Sequence, residues 1–74
     1  MGKYDLVGVD GNAHAIMGYT AKALKREGLG NLADEMYKKA MSSGGYWNPI
    51  AVCDEYVQMT NKKAEENGWE EGDD

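Results

Sequence analysis

Three amphipathic segments, separated by glycine-containing turns, most strongly constrain the fold of this chain. Their apolar residues recur at i, i+3, i+4 and i+7, the spacing that places them on one face of an α-helix. The residues predicted to be buried are Ala13, Ile16, Met17, Thr20, Ala21, Leu24, Leu32, Ala33, Met36, Tyr37, Ala40, Met41, Ile50, Cys53, Tyr56, Val57, Thr60 and Ala64. Because each apolar face needs a partner, the sequence predicts a three-helix bundle.

The first helix has clear signals at both ends. Asn12 is a suitable N-cap for a helix that runs to about Glu27. Gly28 supplies the left-handed residue that closes such a helix, and Leu29 can then fold back on Leu24.

The other two helices are also bounded by turn-forming residues. Asn31 is the predicted N-cap of the second helix, which ends in the Ser-Ser-Gly-Gly run at residues 42–45. Asn48 followed by Pro49 predicts the N-cap and first residue of the third helix. Gly68 is expected to close it.

The residues before the first helix predict a short β-strand. Residues 4–9 form this strand, and Asp10, Gly11 and Asn12 form the turn that leads into the helix. The chain offers no other strand as a partner, and an unpaired strand edge favours pairing with a second copy. The predicted fold is therefore mainly α, in the order β-α-α-α, with the strand paired across a homodimer.

The 74 residues allow one small domain, predicted over residues 1–69, followed by an acidic tail at residues 70–74 that is predicted to be disordered. A chain of this size buries only ~60–65% of its unfolded surface, so its stability is marginal. Cys53 is the single cysteine, and it and His14 are the only typical soft or borderline metal ligands. Without a disulfide, a metal or a cofactor, self-association is the expected stabiliser.

Thirteen acidic and eight basic residues give a formal net charge of −5. This balance argues against direct nucleic-acid binding, which normally uses a basic face. It fits either a partner with a basic groove or ordinary solubility. No run approaches the ~20 apolar residues of a membrane span, and the first residues lack the apolar region of a signal peptide. A cytoplasmic location is therefore expected.

The turn before the first helix is one candidate binding site. Asp10, Gly11 and Asn12 precede a helix N-terminus, where unpaired N–H groups and the positive end of the dipole favour an anion or carboxylate. His14 is a possible donor to that anion or a general base, or simply an exposed residue at a helix start. The glycines match neither the GxGxxG nor the P-loop pattern, so the nucleotide signal is weak.

The Gly-Gly-Tyr-Trp run at residues 44–47 is a second candidate site. Tyr46 and Trp47 come just before the third helix, where they can contact a partner or stack on a flat ligand. Alternatively, one ring packs against the first turn of that helix. Cys53 falls on the apolar face, where a free cysteine usually behaves as a small buried hydrophobe.

Residues 6–18 resemble the opening of small uncharacterised proteins of bacterial phages and mobile elements. Those proteins share a strand, a DGNAF motif and a helix, and a later A-x-S-G-D-Y-like stretch that residues 40–46 resemble. This chain has His14 where phenylalanine is usual and Gly45 where an acidic residue is usual. The resemblance covers residues 4–57 and implies a phage setting in a bacterial host, but it assigns no activity.

The sequence therefore predicts a non-catalytic interaction protein that binds, and modulates or inhibits, a host or phage protein. Its most specific form is counter-defence against a nuclease or CRISPR effector. The predicted contact residues are Asp10, Gly11, Asn12, His14, Tyr46 and Trp47. The alternative is a protein that binds a nucleotide or small anion at the N-terminus of the first helix. No enzyme activity is expected, because no nucleophile–base or carboxylate pair is spaced to converge.

Overall fold

The computed structural model describes residues 2–45 and 47–69. Within these residues the chain forms α1 (Ala13–Arg26), α2 (Gly30–Ser42) and α3 (Trp47–Glu66). Each helix packs against both of the others. The predicted three-helix bundle is confirmed, while the predicted acidic tail and Tyr46 lie outside the described residues.

The core is built from the predicted faces of α1 and α3 and from part of α2. Its buried helical side chains are Ile16, Met17, Thr20, Ala21, Ala23, Leu24, Ala33, Met36, Ala40, Cys53, Tyr56, Val57, Thr60 and Ala64. The prediction is wrong for Met41, whose side chain is 69% exposed. Met41 lies five residues after the buried Met36, which turns it about 140° around the helix and off the apolar face.

The predicted closures of α1 and α3 are confirmed. Gly28 and Gly68 have φ angles of +82° and +102°, in the left-handed region that favours glycine. The N–H groups of Leu29 and Trp69 then donate to the carbonyl oxygens five residues earlier, at 2.7 and 3.0 Å. Both helices therefore end in a Schellman motif, which satisfies carbonyls that the helix leaves unpaired.

The predicted starts of α2 and α3 are each displaced by one residue or more. α2 begins at Gly30, and Asn31 lies inside it, because the turn that closes α1 continues directly into α2. α3 begins at Trp47, so Asn48 lies inside the helix instead of capping it. The side-chain amide of Asn48 donates to the carbonyl oxygen of Gly44 at 2.8 Å, which links the connection between α2 and α3 to the first turn of α3.

The predicted strand at residues 4–9 is wrong. The N–H of Val9 donates to the carbonyl oxygen of Leu6 at 3.1 Å, which closes a four-residue turn. Gly8 has a φ of +90° and Val7 does not have a positive φ, the combination found in a type II turn. A continuous strand edge is therefore absent from this part of the described chain.

The backbone of Tyr4 is paired within the chain rather than with a second copy. Asn61 of α3 accepts from the N–H of Tyr4 at 2.7 Å, and its amide donates to the carbonyl of Tyr4 at 2.9 Å. Gly2 permits this approach, because a Cβ there would overlap the Asn61 side chain. Asn61 satisfies the groups that a neighbouring strand would have bonded, so the strand-paired homodimer loses its basis.

Asn61→Ala is expected to lower the free energy of unfolding by about 1–2 kcal/mol, since both backbone groups of Tyr4 lose their partner. Gln58→Ala is the matched control, because Gln58 lies exposed on the same helix and bonds to the exposed Asp54 one turn earlier. It should cost less than about 0.5 kcal/mol. Urea denaturation followed by circular dichroism measures both, and equal midpoints would contradict the role of Asn61.

Candidate functional site

The topology brings the start of α1, the end of α2 and the start of α3 to one end of the bundle. Short connections make consecutive helices antiparallel, so α1 and α3 run in the same direction. The opposite end confirms this direction, because Asn67 after α3 donates from Nδ2 to Oε1 of Glu27 after α1 at 3.1 Å. Residues 10–12, which lead directly into α1, therefore lie at the same end as those that begin α3.

Most of the predicted contact residues lie at this end. They are Asp10, Gly11, Asn12, His14 and Trp47. Tyr46 and the side chain of Trp47 lie outside the described part of the molecule, so the predicted aromatic contact stays a prediction.

Short-range hydrogen bonds shape residues 5–14, which we call the Val7 segment. Asp5 Oδ1 accepts from the N–H of Val7 at 2.9 Å, and Asp10 Oδ1 accepts from the N–H of Asn12 at 3.3 Å. Asn12 Oδ1 in turn accepts from the N–H of His14 at 2.8 Å, which confirms Asn12 as the N-cap of α1. Asx-type bonds of this kind replace the backbone pairing that a strand would have supplied.

Core contacts hold the same segment from beneath. Leu6 and Val9, on either side of the type II turn, pack against the apolar core. The Tyr19 hydroxyl accepts from the N–H of Asp5 at 3.0 Å. Between these anchors, the side chain of Val7 is 85% exposed. The exposure of Val7 was not predicted, because residues 4–9 were expected to form a strand, although Gly8 is a turn signal.

The geometry at the start of α1 disfavours an anion there. The N–H of His14 is already bonded to the Asn12 side chain at 2.8 Å. Asp10 places a carboxylate immediately before the helix, bonded to the N–H of Asn12. That negative charge repels an anion from the position where the helix dipole would attract it.

A buried carboxylate fastens the first residues of the chain to the other end of the bundle. Glu27 is 7% exposed, and its Oε2 accepts from Tyr4 Oη at 2.5 Å and from Lys3 Nζ at 2.9 Å. Hydrogen bonds from Tyr4 and then Lys3 lower the pKa of Glu27 from 4.5 to about 2. A carboxylate this acidic is a poor proton acceptor at neutral pH, so the cluster acts as an anchor.

The thiol and the two hydroxyls that could act as nucleophiles are buried in the core. Cys53 is fully buried with its Sγ 3.9 Å from the Sδ of Met36, and burial raises the pKa of its thiol. The hydroxyls of Thr20 and Thr60 donate to carbonyl oxygens four residues earlier, at 2.8 and 2.6 Å. The prediction that Cys53 is a buried hydrophobe is confirmed.

Comparison of the chain with protein-family models, with curated proteins and with solved structures gives no match. The resemblance to phage and mobile-element proteins therefore stays an expectation. Among the described residues, no helix combines the length and the apolar character needed to cross a membrane.

Proposed function

We propose that this chain is a non-catalytic interaction protein that binds a protein partner through the Val7 segment. The observation that carries this proposal is the display of Val7, an apolar side chain 85% exposed at the tip of an anchored turn. A preorganised turn loses little conformational freedom on binding, and burial of the side chain adds favourable free energy.

The surroundings of Val7 support a binding surface of the usual composition. Met41, in the last turn of α2, is a second exposed apolar side chain. Asp10, Asn12 and His14 follow Val7 within seven residues, are exposed and supply polar groups. Apolar residues ringed by polar ones are the typical anatomy of protein–protein interfaces.

The nature of the partner follows from the resemblance over residues 4–57. We propose a bacterial host or phage protein in the cytoplasm, which this chain modulates or inhibits. Counter-defence against a nuclease or CRISPR effector is the specific form of this proposal. A homodimer is a further proposal that light scattering tests, and it would use apolar side chains, since Asn61 already pairs the backbone of Tyr4.

The test compares two variants that add the same charge to exposed apolar positions. Val7→Asp alters the proposed surface, and Met59→Asp alters a 43% exposed methionine on α3. Immobilised wild type and both variants are exposed to bacterial lysate, and bound proteins are quantified by mass spectrometry. We expect one protein to be retained by wild type and Met59→Asp and reduced about tenfold or more by Val7→Asp.

Melting curves by circular dichroism accompany the binding measurement, because substitutions at such exposed positions should leave stability almost unchanged. Equal retention by the two variants would remove the Val7 segment from the proposal. A wild-type protein that retains nothing above background would contradict the interaction function itself.

A further inference from the structure

A pocket of about 330 Å³ lies between the first residues of the chain and the C-terminal half of α1. It is lined by Lys3, Tyr4, Tyr19, Lys22, Ala23 and Arg26. The volume falls at the lower end of the range for small-molecule sites, roughly 300–1,000 Å³. The pocket therefore has room for a ligand of modest size.

Its positive charge contrasts with the acidity of the whole chain. α1 contains three basic residues and no acidic residue, whereas the chain has a net charge of −5. Lys3 is neutralised by Glu27 at 2.9 Å, but no carboxylate of the described residues pairs with Lys22 or Arg26. The pocket thus presents two positive charges that no described residue compensates.

The spacing of these two cations suits a bound anion. Lys22 and Arg26 are four residues apart, so they share one helix face and repel each other. The helix dipole favours Lys25 and Arg26 in the last turn, but its effect falls off before Lys22. An anion between Lys22 and Arg26 would replace their repulsion with two attractive contacts.

Two tyrosine rings, those of Tyr4 and Tyr19, line the pocket together with the cations. The Tyr19 ring meets the Tyr4 ring edge-on, with centroids 6.4 Å apart and planes at 75°. The hydroxyl of Tyr19 is held by the N–H of Asp5, and that of Tyr4 by Glu27. Tyr19 is only partly buried, so it offers a fixed ring on which a planar group can stack.

We propose that this pocket binds an organic phosphate monoester with a planar group, of the nucleoside monophosphate class. Lys22 and Arg26 hold the phosphate dianion, whose charge matches theirs, and the base stacks on Tyr19. Nucleotide binding is thereby assigned to this pocket and not to the N-terminus of α1. The site shares no residue with the Val7 segment, although Tyr19 also holds Asp5, so the variants of Lys22 and Arg26 test the pocket without altering the surface proposed for a protein partner.

The test is calorimetric titration of the full chain with adenosine monophosphate, adenosine and inorganic phosphate. We expect the nucleotide to bind with a dissociation constant of roughly a millimolar or below, and the two fragments to bind at least about tenfold more weakly. Lys22→Gln and Arg26→Gln should each weaken nucleotide binding about tenfold or more. Lys25→Gln is the matched control, since it removes the same charge from the same helix outside the pocket, and should change binding less than about twofold.

Two further variants separate the ring from its hydroxyl. Tyr19→Phe keeps the stacking surface and should retain binding, whereas Tyr19→Leu should weaken it about tenfold. Inorganic phosphate binding as tightly as the nucleotide would overturn the stacking assignment. No nucleotide binding at millimolar concentration, or an equal loss in Lys25→Gln and Arg26→Gln, would overturn the site.

Discussion

Replacing Glu27 with glutamine is expected to lower the free energy of unfolding by about 2 kcal/mol at pH 7. The carboxylate is buried and accepts hydrogen bonds from Lys3, Tyr4 and Asn67. Glutamine keeps the size of the side chain but loses the charge and one of the two acceptor oxygens. The substitution should therefore loosen the first residues of the chain from the ends of α1 and α3. Urea denaturation followed by circular dichroism measures the change.

The effect of Glu27 should depend on pH with a defined sign. Its pKa is lowered from 4.5 to about 2 in the folded state, so ionised Glu27 contributes its full stabilisation above pH 4.5. That contribution is lost as the pH falls towards 2, and the curves of wild type and Glu27→Gln should converge over this range. Glu35→Gln, at an exposed position on α2, should stay within about 0.5 kcal/mol of wild type at pH 7. A gap between wild type and Glu27→Gln that stays constant from pH 5 to about 2 would contradict this assignment.

The parts of the fold that could be predicted are those set by neighbours along the chain. The hydrogen bond of the Asn12 cap joins groups two residues apart, and the hydrogen bonds that close α1 at Gly28 and α3 at Gly68 join groups five residues apart. Apolar periodicity likewise reports a single helix face. Asn61 and Tyr4, by contrast, are 57 positions apart, and Asn67 and Glu27 are 40 apart. No local pattern indicates such pairs, because tertiary folding alone brings them together.

The candidate sites divide in the same way. The turn and cap residues around the start of α1, which were proposed as contact residues, could be located from the sequence because such residues are recognisable locally. The prediction for Val7 was wrong because the valine–glycine–valine run was interpreted as a strand, although Gly8 permits the turn that exposes Val7. The pocket beside Tyr19 was missed for a different reason. One side of the pocket is formed by Lys3 and Tyr4, which contact α1 only when the first residues of the chain pack along it.

Met36→Ala is expected to lower the free energy of unfolding by about 3 kcal/mol, whereas Met41→Ala should change it by less than about 0.5 kcal/mol. Both methionines lie on α2, but Met36 is 0% exposed and Met41 is 69% exposed. Truncating Met36 leaves a cavity beside Cys53, whose Sγ lies 3.9 Å from the Met36 Sδ. Truncating Met41 removes only atoms that are largely in water.

A domain of this size has little stability to lose, so Met36→Ala can prevent folding altogether. Met36→Leu keeps most of the side-chain volume and should cost less than about 1.5 kcal/mol, which leaves a folded protein to measure. Thermal and urea denaturation of wild type and all three variants then test the orientation of α2. Equal losses from Met36→Ala and Met41→Ala would mean that both side chains are buried in solution. Burial of Met41 would in turn require a partner over the last turn of α2, and the self-association of the chain would then be the property to measure.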